Sequence, residues 1–277
     1  MRSRKGCASS AKGQNVVMEY RFADGQDERL PGLAAELVAH PVSVIFAPDT
    51  PAALAARAAT AAVPIVVASS DPVALGLVAG LARPGGNVTG LSFANVLHAG
   101  KNLELLKQAA PATRRVVALW YAPNASSAAL LRELQDTAPR LGVELQPVGV
   151  QGPDDFEATF QSVAAQRADA LFVINGPEMN TRQARVLEFV ASTRLPAMFV
   201  RREYVEGGGL MAYGVNFPDV YRRAATYVDR ILKGARPADL PVEQPTRFDF
   251  VINLQTARDI GLTLPQEVLL QATEVIQ

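Results

Sequence analysis

The 277-residue chain is 49% hydrophobic, which is enough for a substantial buried core in one large domain or two smaller ones. Lysine plus arginine and aspartate plus glutamate both number 27, and no block of like charge stands out, which argues against a nucleic-acid groove or an anionic-membrane patch. Aromatic residues make up only 6%, which disfavours a base-stacking platform, and no apolar run approaches the ~20 residues of a membrane span.

Apolar strands and helices alternate along almost the whole chain. In chain order, the predicted strands are NVVMEY, VSVIFA, PIVVA, NVTGLSF, RVVALWY, VELQPVGV, ALFVI and AMFV. The predicted helices lie between them, at 28–40, from 51 onward, and at 72–82, 101–109, 125–141, 156–166 and 178–193. Because most strands are continuous apolar runs, helices are expected to cover both faces of their sheets, so the fold class is α/β with parallel sheets.

We expect two lobes, since roughly ten strands are too many for one open sheet in a chain of this length. The candidate crossings are three segments rich in turn residues, ARPGGNVTG, EGGGLMAYG and PVEQPTRF, whose small residues fit a hinge. The predicted lobes are 1–93 with 208–245, and 94–207 with 246–277.

Two strands of the first half end in the same kind of turn, DTP and SSDP. Thr50 and Asp71 each precede a proline and are expected to cap the helix that follows, whose free N–H groups would also attract a polar ligand. Ser69 and Ser70 add hydroxyls beside the second turn. Asp49 and Asp71 would repel an anion, which favours a zwitterion or a neutral polar ligand over a phosphate.

The second half has its own polar and aromatic side chains where strands end. We take as candidate ligand contacts Trp120, Tyr121, Asn124, Asn175, Glu178, Arg201 and Glu203. Trp120 is the only tryptophan and could be either a stacking wall for the ligand or a core side chain. Arg201 and its neighbour Arg202 could bind a carboxylate or simply solvate the surface.

The sequence lacks the patterns of a metal site or a catalytic centre. Cys7 is the only cysteine, so neither an internal disulfide nor a cysteine-rich zinc site can form. His40 and His98 fall near predicted helix ends, with no HExxH or GxSxG pattern. We therefore expect no cofactor, no metal and no enzymatic activity. An α/β enzyme, with acid–base chemistry on Asp71, Glu178 or Glu203, is the less favoured alternative.

Four stretches carry a longer pattern: TPAALAARAAT, DPVALGLVAGLARPGGNVTG, LELLKQAAP and GGLMAYGVNFPDVYRRAATYVDRILKGARPADLPVEQPTRFDFVINLQTARDIGLTLP. From Gln14 to Gln277 the chain resembles the ABC transporter substrate-binding proteins of the tryptophan/tyrosine-binding-protein-like family. The resemblance implies a periplasmic binding protein type I fold, with two α/β lobes, three hinge crossings and a small polar organic ligand, such as an amino acid, in the cleft. It also implies a membrane permease as partner and a periplasmic location.

The resemblance also assigns roles to individual residues. The family's GTP turn falls on Thr50, with Asp49 in place of the glycine, and its G/S-D-P turn falls on Ser70. Together with Ser69, these residues would hold the polar head of the ligand. Asn216, in YGVN, stands where relatives carry a small polar or acidic residue and could meet an amino group.

The start of the sequence departs from the family pattern. Relatives open with a secretion signal, a first strand and a first helix, whereas MRSRKG is basic without an apolar run. The resemblance then implies a first lobe without its first strand and helix, an exposed sheet edge, and a cytoplasmic location if this start is real. A cytosolic ligand sensor of the same fold and an incomplete, non-functional receptor are the remaining alternatives.

Overall fold

The computed structural model describes residues 16–152 and 154–277; Cys7 and the basic N-terminal stretch lie outside them. The helices are α1 (Leu30–Ala39), α2 (Thr50–Ala59), α3 (Asn95–Ala109), α4 (Ala125–Thr137), α5 (Phe156–Ala165), α6 (Pro177–Thr181), α7 (Gln183–Thr193), α8 (Arg202–Glu206), α9 (Phe217–Leu232), α10 (Leu254–Asp259) and α11 (Gln266–Gln271). The strands are β1 (Ile45–Ala47), β2 (Ile65–Ser69), β3 (Val88–Ser92), β4 (Arg115–Tyr121), β5 (Glu144–Val150), β6 (Ala170–Val173), β7 (Ala197–Phe199), β8 (Met211–Val215), β9 (Phe248–Asn253) and β10 (Glu274–Ile276).

The chain divides into two compact units, each with its own sheet. Unit 1 contains the described residues up to Ala94 together with Phe217–Thr246, and unit 2 contains Asn95–Asn216 and Arg247–Gln277. Strand β8, which we expected in the first lobe, lies in unit 2, because it pairs with β7 on one side and with β9 on the other. The chain therefore passes between the units after Asn216, and not near residue 208.

Unit 1 has a parallel three-stranded sheet in the order β1-β2-β3. Ile45 and Val67 pack on one face with Ala53 and the other small residues of the alanine-rich α2. On the other face, the ring of Phe46 contacts α9. Helix α9 buries Phe217, Val220, Ala224, Tyr227 and Ile231, whose spacing of three or four residues is that of one helical face.

Unit 2 has a seven-stranded sheet in the order β10-β9-β8-β7-β6-β4-β5. It is not fully parallel as we expected, because β9 runs antiparallel to β8. Alternate side chains of β4 enter two separate cores: Val116 and Ala118 pack with α3 and α4, and Val117 and Leu119 pack with α5 and α7. Helices thus cover both faces of the sheet, as the continuous apolar strands predicted.

Two predicted elements of unit 1 are wrong. The stretch NVVMEY, of which residues 16–20 are described, forms no strand, since none of the described residues pairs with it. The segment 72–82 forms turns and no helix. Gly76 there has φ +67, and the N–H groups of Leu77 and Val78 both donate to the Pro72 carbonyl, so the chain folds back after one turn.

Asp169 ties the start of β4 to the start of β6. Its Oδ2 accepts the N–H groups of Arg114 at 2.9 Å and Arg115 at 2.8 Å. These backbone hydrogen bonds, helped by the charges of the two arginines, lower the pKa of the Asp169 carboxyl below its ordinary value of 3.8. Because the pKa is depressed in the folded state, the stabilisation is complete above the unfolded pKa and is lost as the pH falls through the folded pKa.

We expect Asp169→Asn, which keeps the shape but cannot ionise, to lower the free energy of unfolding at pH 7. The deficit should shrink below pH ~4 and vanish near pH ~2, because the wild-type carboxyl is then protonated as well. Urea unfolding at several pH values measures this, with the exposed Asp136→Asn in α4 as control. A deficit that stays constant with pH would contradict the assignment.

Candidate functional site

Three hydroxyl side chains meet at the carboxyl ends of the strands in unit 1. Thr50 Oγ1 accepts the N–H of Ser70 at 3.2 Å and lies 3.5 Å from Ser70 Oγ. Ser92 Oγ donates to the Ser70 carbonyl at 2.8 Å and accepts the N–H of Ala94 at 3.1 Å. All three side chains are buried. We call Thr50, Ser70 and Ser92 the hydroxyl cluster; it joins the start of α2 to the ends of β2 and β3.

Thr50 does not cap α2 as predicted. The helix already includes Thr50, and the N-cap is Asp49, whose Oδ1 accepts the N–H of Ala52 at 2.9 Å. Burial raises the pKa of the Asp49 carboxyl, although the hydrogen bond from Ala52 opposes this shift. The Thr50 hydroxyl is therefore available to link strand ends, because a neighbouring residue caps the helix.

Asp71 does cap its own segment, although that segment is a turn. Its Oδ1 accepts the N–H groups of Val73 at 3.2 Å and Ala74 at 3.0 Å. The carboxylates of Asp49 and Asp71 both accept hydrogen bonds from nearby backbone. This reduces the repulsion of an anionic group that the sequence led us to expect.

Ser69, the last residue of β2, is fully buried at 0% exposure. Its Oγ has no hydrogen-bond partner among the residues that the structure describes. A buried hydroxyl without a partner is costly unless a water molecule or a ligand satisfies it. Ser69 lies at the same edge of the sheet as the hydroxyl cluster; the sequence predicted this edge for Thr50, Ser69 and Ser70, but not for Ser92.

In unit 2, the structure brings Asn124 and Glu178 together. Asn124 caps α4, since its Oδ1 accepts the N–H groups of Ser126 and Ser127, and its Nδ2 donates to Glu178 Oε1 at 3.3 Å. Glu178, in the first turn of α6, is only 1% exposed. A Cβ at Gly176 would lie 2.9 Å from Glu178 Oε2, so the glycine leaves room for the buried carboxylate.

Two further predicted contacts are held by neighbours within unit 2. Asn175 Oδ1 accepts the N–H of Val200 at 3.0 Å, which ties the ends of β6 and β7. Arg201 forms two hydrogen bonds with Glu203, at 3.1 and 3.3 Å. Burial alone would raise the pKa of the Glu203 carboxyl, but the hydrogen bonds and charge of Arg201 outweigh it and lower that pKa. Arg201 therefore already has a carboxylate partner.

Asn216 has an acidic neighbour that sequence reasoning missed. Its Nδ2 donates to Asp249 Oδ2 at 2.8 Å, and the Arg202 guanidinium lies 3.5 Å from the same oxygen. Asp249 lies near the start of antiparallel β9, whereas the sequence predicted ligand contacts only where strands end. Ser92 is the last residue of β3, and the reasoning that selected Ser69 at the end of β2 could also have found it.

Trp120 and Tyr121 point to opposite faces of the sheet of unit 2. Trp120 packs against the core of α3 and α4, and a Cβ at Gly149 on the neighbouring strand would lie 3.1 Å from its Nε1. Tyr121 is 8% exposed and packs into the other core. These contacts favour a role for Trp120 as a core side chain over a role as a stacking wall for the ligand.

Two other kinds of feature are absent from residues 16–152 and 154–277. Within them, no helix is long and apolar enough to cross a membrane. The same residues contain no group of three or more His, Cys, Asp or Glu side chains that could hold a metal ion.

Two α/β units with polar side chains at the carboxyl ends of parallel strands define the class: a periplasmic binding protein of type I architecture. The family model described as ABC transporter substrate binding protein matches residues 8–276. The chain therefore belongs to the ABC transporter substrate-binding protein family.

Individual relatives agree with this assignment. The chain is 25% identical over 251 residues to a protein of Clostridioides difficile named tyrosine-binding protein, covering 90% of this chain and 72% of the relative. It is similar to an ABC domain from Streptococcus pneumoniae solved in complex with L-Trp (TM-score 0.85, 28% identity, 91% and 87% of the two chains). It is also similar to a conserved domain protein of Vibrio cholerae (TM-score 0.89, 28% identity, 95% and 88%).

Proposed function

We propose that this substrate-binding protein captures an amino acid or a closely related small polar organic solute and delivers it, chemically unchanged, to the permease of an ABC uptake system. We place this activity in the periplasm. The family match over residues 8–276 supports the transport role. The observation that carries the ligand assignment is the buried hydroxyl cluster beside the start of α2, together with the Ser69 hydroxyl, which has no hydrogen-bond partner among the described residues.

The hydroxyl cluster suits the carboxylate of such a ligand. Its side chains carry no formal charge, and the nearby Asp49 and Asp71 carboxylates are occupied by backbone N–H groups. The ten-residue helix α2 begins at Thr50, and the positive end of a helix dipole attracts an anionic group. Ser92 donates its hydroxyl proton to the Ser70 carbonyl, so the proposed donors to the carboxylate are the hydroxyls of Thr50, Ser69 and Ser70.

The carboxyl edge of unit 2 supplies groups of the opposite character. Glu178 and Asp249 are carboxylates held by the amides of Asn124 and Asn216. Carboxylates of this kind are the usual partners of an ammonium group. The proposed contacts are those at strand ends: Thr50, Ser69, Ser70, Asp71, Tyr121, Asn124, Asn175, Glu178, Arg201, Glu203 and Asn216.

The names of two relatives support an amino acid as the ligand. One is named for tyrosine, and another was solved with L-Trp. Both ligands combine a zwitterionic head with an aromatic ring. Amino acids with aromatic side chains are therefore the first compounds to test.

A thermal-shift screen tests the proposal. We expect at least one amino acid or small organic acid to raise the melting temperature in a saturable way, with a stabilisation of about 2.7 kcal/mol at a ligand concentration one hundred times Kd. Sugars of similar size serve as the comparison set. Failure of every amino acid and organic acid to shift a chain that circular dichroism shows to be folded, or a shift with sugars alone, would contradict the proposed ligand class.

A further inference from the structure

Asp249 offers an accessible carboxylate oxygen at the edge of the sheet of unit 2 where β8 ends. Strand β9 runs antiparallel to β8 and pairs Asp249 with Gly214, so the start of β9 lies beside the end of β8. Asp249 Oδ2 accepts a hydrogen bond from Asn216 Nδ2 at 2.8 Å and lies 3.5 Å from Arg202 Nη1. No residue of 16–152 and 154–277 donates a hydrogen bond to Oδ1, and the side chain is 23% exposed, so a ligand can reach this oxygen.

Arg202 holds Asp249 in place but is shared with two other carboxylates. Its Nε donates to Glu206 at 2.8 Å and its Nη2 donates to Glu274 at 2.9 Å, whereas its Nη1 reaches Asp249 only at 3.5 Å. The two shorter hydrogen bonds are the stronger ones. Because the attraction of this single guanidinium is divided in this way, a cationic group of a ligand can complete the pairing of Asp249.

The two other carboxylates among the proposed contacts of unit 2 are less suited to receive a cation. Glu178 is only 1% exposed. Both carboxylate oxygens of Glu203 accept hydrogen bonds from Arg201, at 3.1 and 3.3 Å. Of these three side chains, Asp249 is the one that combines accessibility with an oxygen that no described donor engages.

We propose that Asp249 Oδ1 accepts a hydrogen bond from the ammonium group of the ligand, so that the site requires an amine. This inference rests on the proposed function and narrows its ligand class, because the same organic acid without its amino group is then rejected. An ionised carboxylate accepts hydrogen bonds and donates none, and its bond with an ammonium group is charge-assisted. Asn216 and Arg202 fix Oδ2, which orients Oδ1 before a ligand arrives.

Isothermal titration with matched pairs of compounds tests the requirement for an amine. The pairs are L-tyrosine with desaminotyrosine, L-tryptophan with indolepropionate, L-leucine with isocaproate and L-glutamate with glutarate, and the members of each pair differ only in the amino group. We expect the unmodified chain to bind at least one amino acid about a hundredfold or more tightly than its partner. Asp249→Asn keeps the shape but loses the charge, and it should reduce this ratio by at least about tenfold.

The matched control is Asp259→Asn, which removes an exposed carboxylate of α10 in the same unit and should leave the ratio within about twofold. Asp249→Ser, a smaller uncharged replacement, is measured as well, and circular dichroism identifies which variants are folded. Equal binding of both members of a pair, or an equal loss of affinity for both in the folded Asp249 variants, would overturn the inference and leave the proposed function standing. Binding of neither member of any pair to a folded chain would overturn both.

Discussion

Ser70→Ala is expected to weaken ligand binding by about tenfold to a hundredfold, the cost of losing one hydrogen bond to a charged group. The free energy of unfolding without ligand should change by less than ~1 kcal/mol. The reason is that the backbone links of Ser70 survive: its N–H still donates to Thr50 Oγ1, and its carbonyl still accepts from Ser92. Isothermal titration with the ligand found in the thermal-shift screen measures the first quantity, and urea unfolding measures the second.

The matched control for Ser70→Ala is Asp49→Ala. It removes the N-cap of α2 and should lower the free energy of unfolding by about 1 kcal/mol. The ligand dissociation constant should stay within about twofold, because the Asp49 carboxylate is occupied by the helix backbone. If both variants lost stability and affinity in the same proportion, the hydroxyl cluster would be a structural feature and not a binding site.

Gly90→Ala is expected to destabilise unit 1 by at least about 3 kcal/mol, among the largest effects of a single substitution. Gly90 lies in β3 with φ +140, and a Cβ there would lie 2.0 Å from the Val67 carbonyl oxygen on the neighbouring strand. The methyl group cannot be accommodated unless β2 and β3 separate. Circular dichroism during urea unfolding should show the loss, while fluorescence of Trp120, which lies in unit 2, should change less.

Gly76→Ala separates this clash from ordinary backbone strain. Gly76 also has a positive φ, +67, but a Cβ there would meet nothing within 4 Å. We expect this variant to lower the free energy of unfolding by only about 1–2 kcal/mol. Equal costs for Gly76→Ala and Gly90→Ala would mean that the close approach between β2 and β3 is not what constrains residue 90.

The sequence predicted best the strands whose own apolar side chains show that both faces are buried. Strands β2, β4 and β6 are continuous apolar runs, which only a sheet covered on both faces can bury, and the structure covers them in this way. The stretch NVVMEY has an equally strong β pattern, but a strand also needs a partner, and propensity does not reveal whether one is present. The predicted helix at 72–82 fails because Gly76 adopts a positive φ and the chain turns back onto the Pro72 carbonyl, and an apolar helical pattern does not show where a glycine will do this.

The sequence likewise predicted only part of the candidate site. The rule that ligand groups follow parallel strands selected Thr50, Ser70, Asn124 and Glu178 as candidates, and the structure places Thr50 beside Ser70 and Asn124 beside Glu178. It could not predict Asp249, because β9 is antiparallel and presents its first residues at that edge. Nor could it predict that Asp49, rather than Thr50, caps α2, because the two residues are adjacent and both types cap helices well.

Isothermal titration of the purified chain with the strongest ligand of the screen, followed by recovery of that ligand, tests the central claim most directly. We predict saturable binding of one amino acid or related solute per chain, with the ligand recovered unchanged. Absence of saturable binding by a folded chain, or recovery of a converted product, would contradict the claim that this protein binds and delivers a small solute.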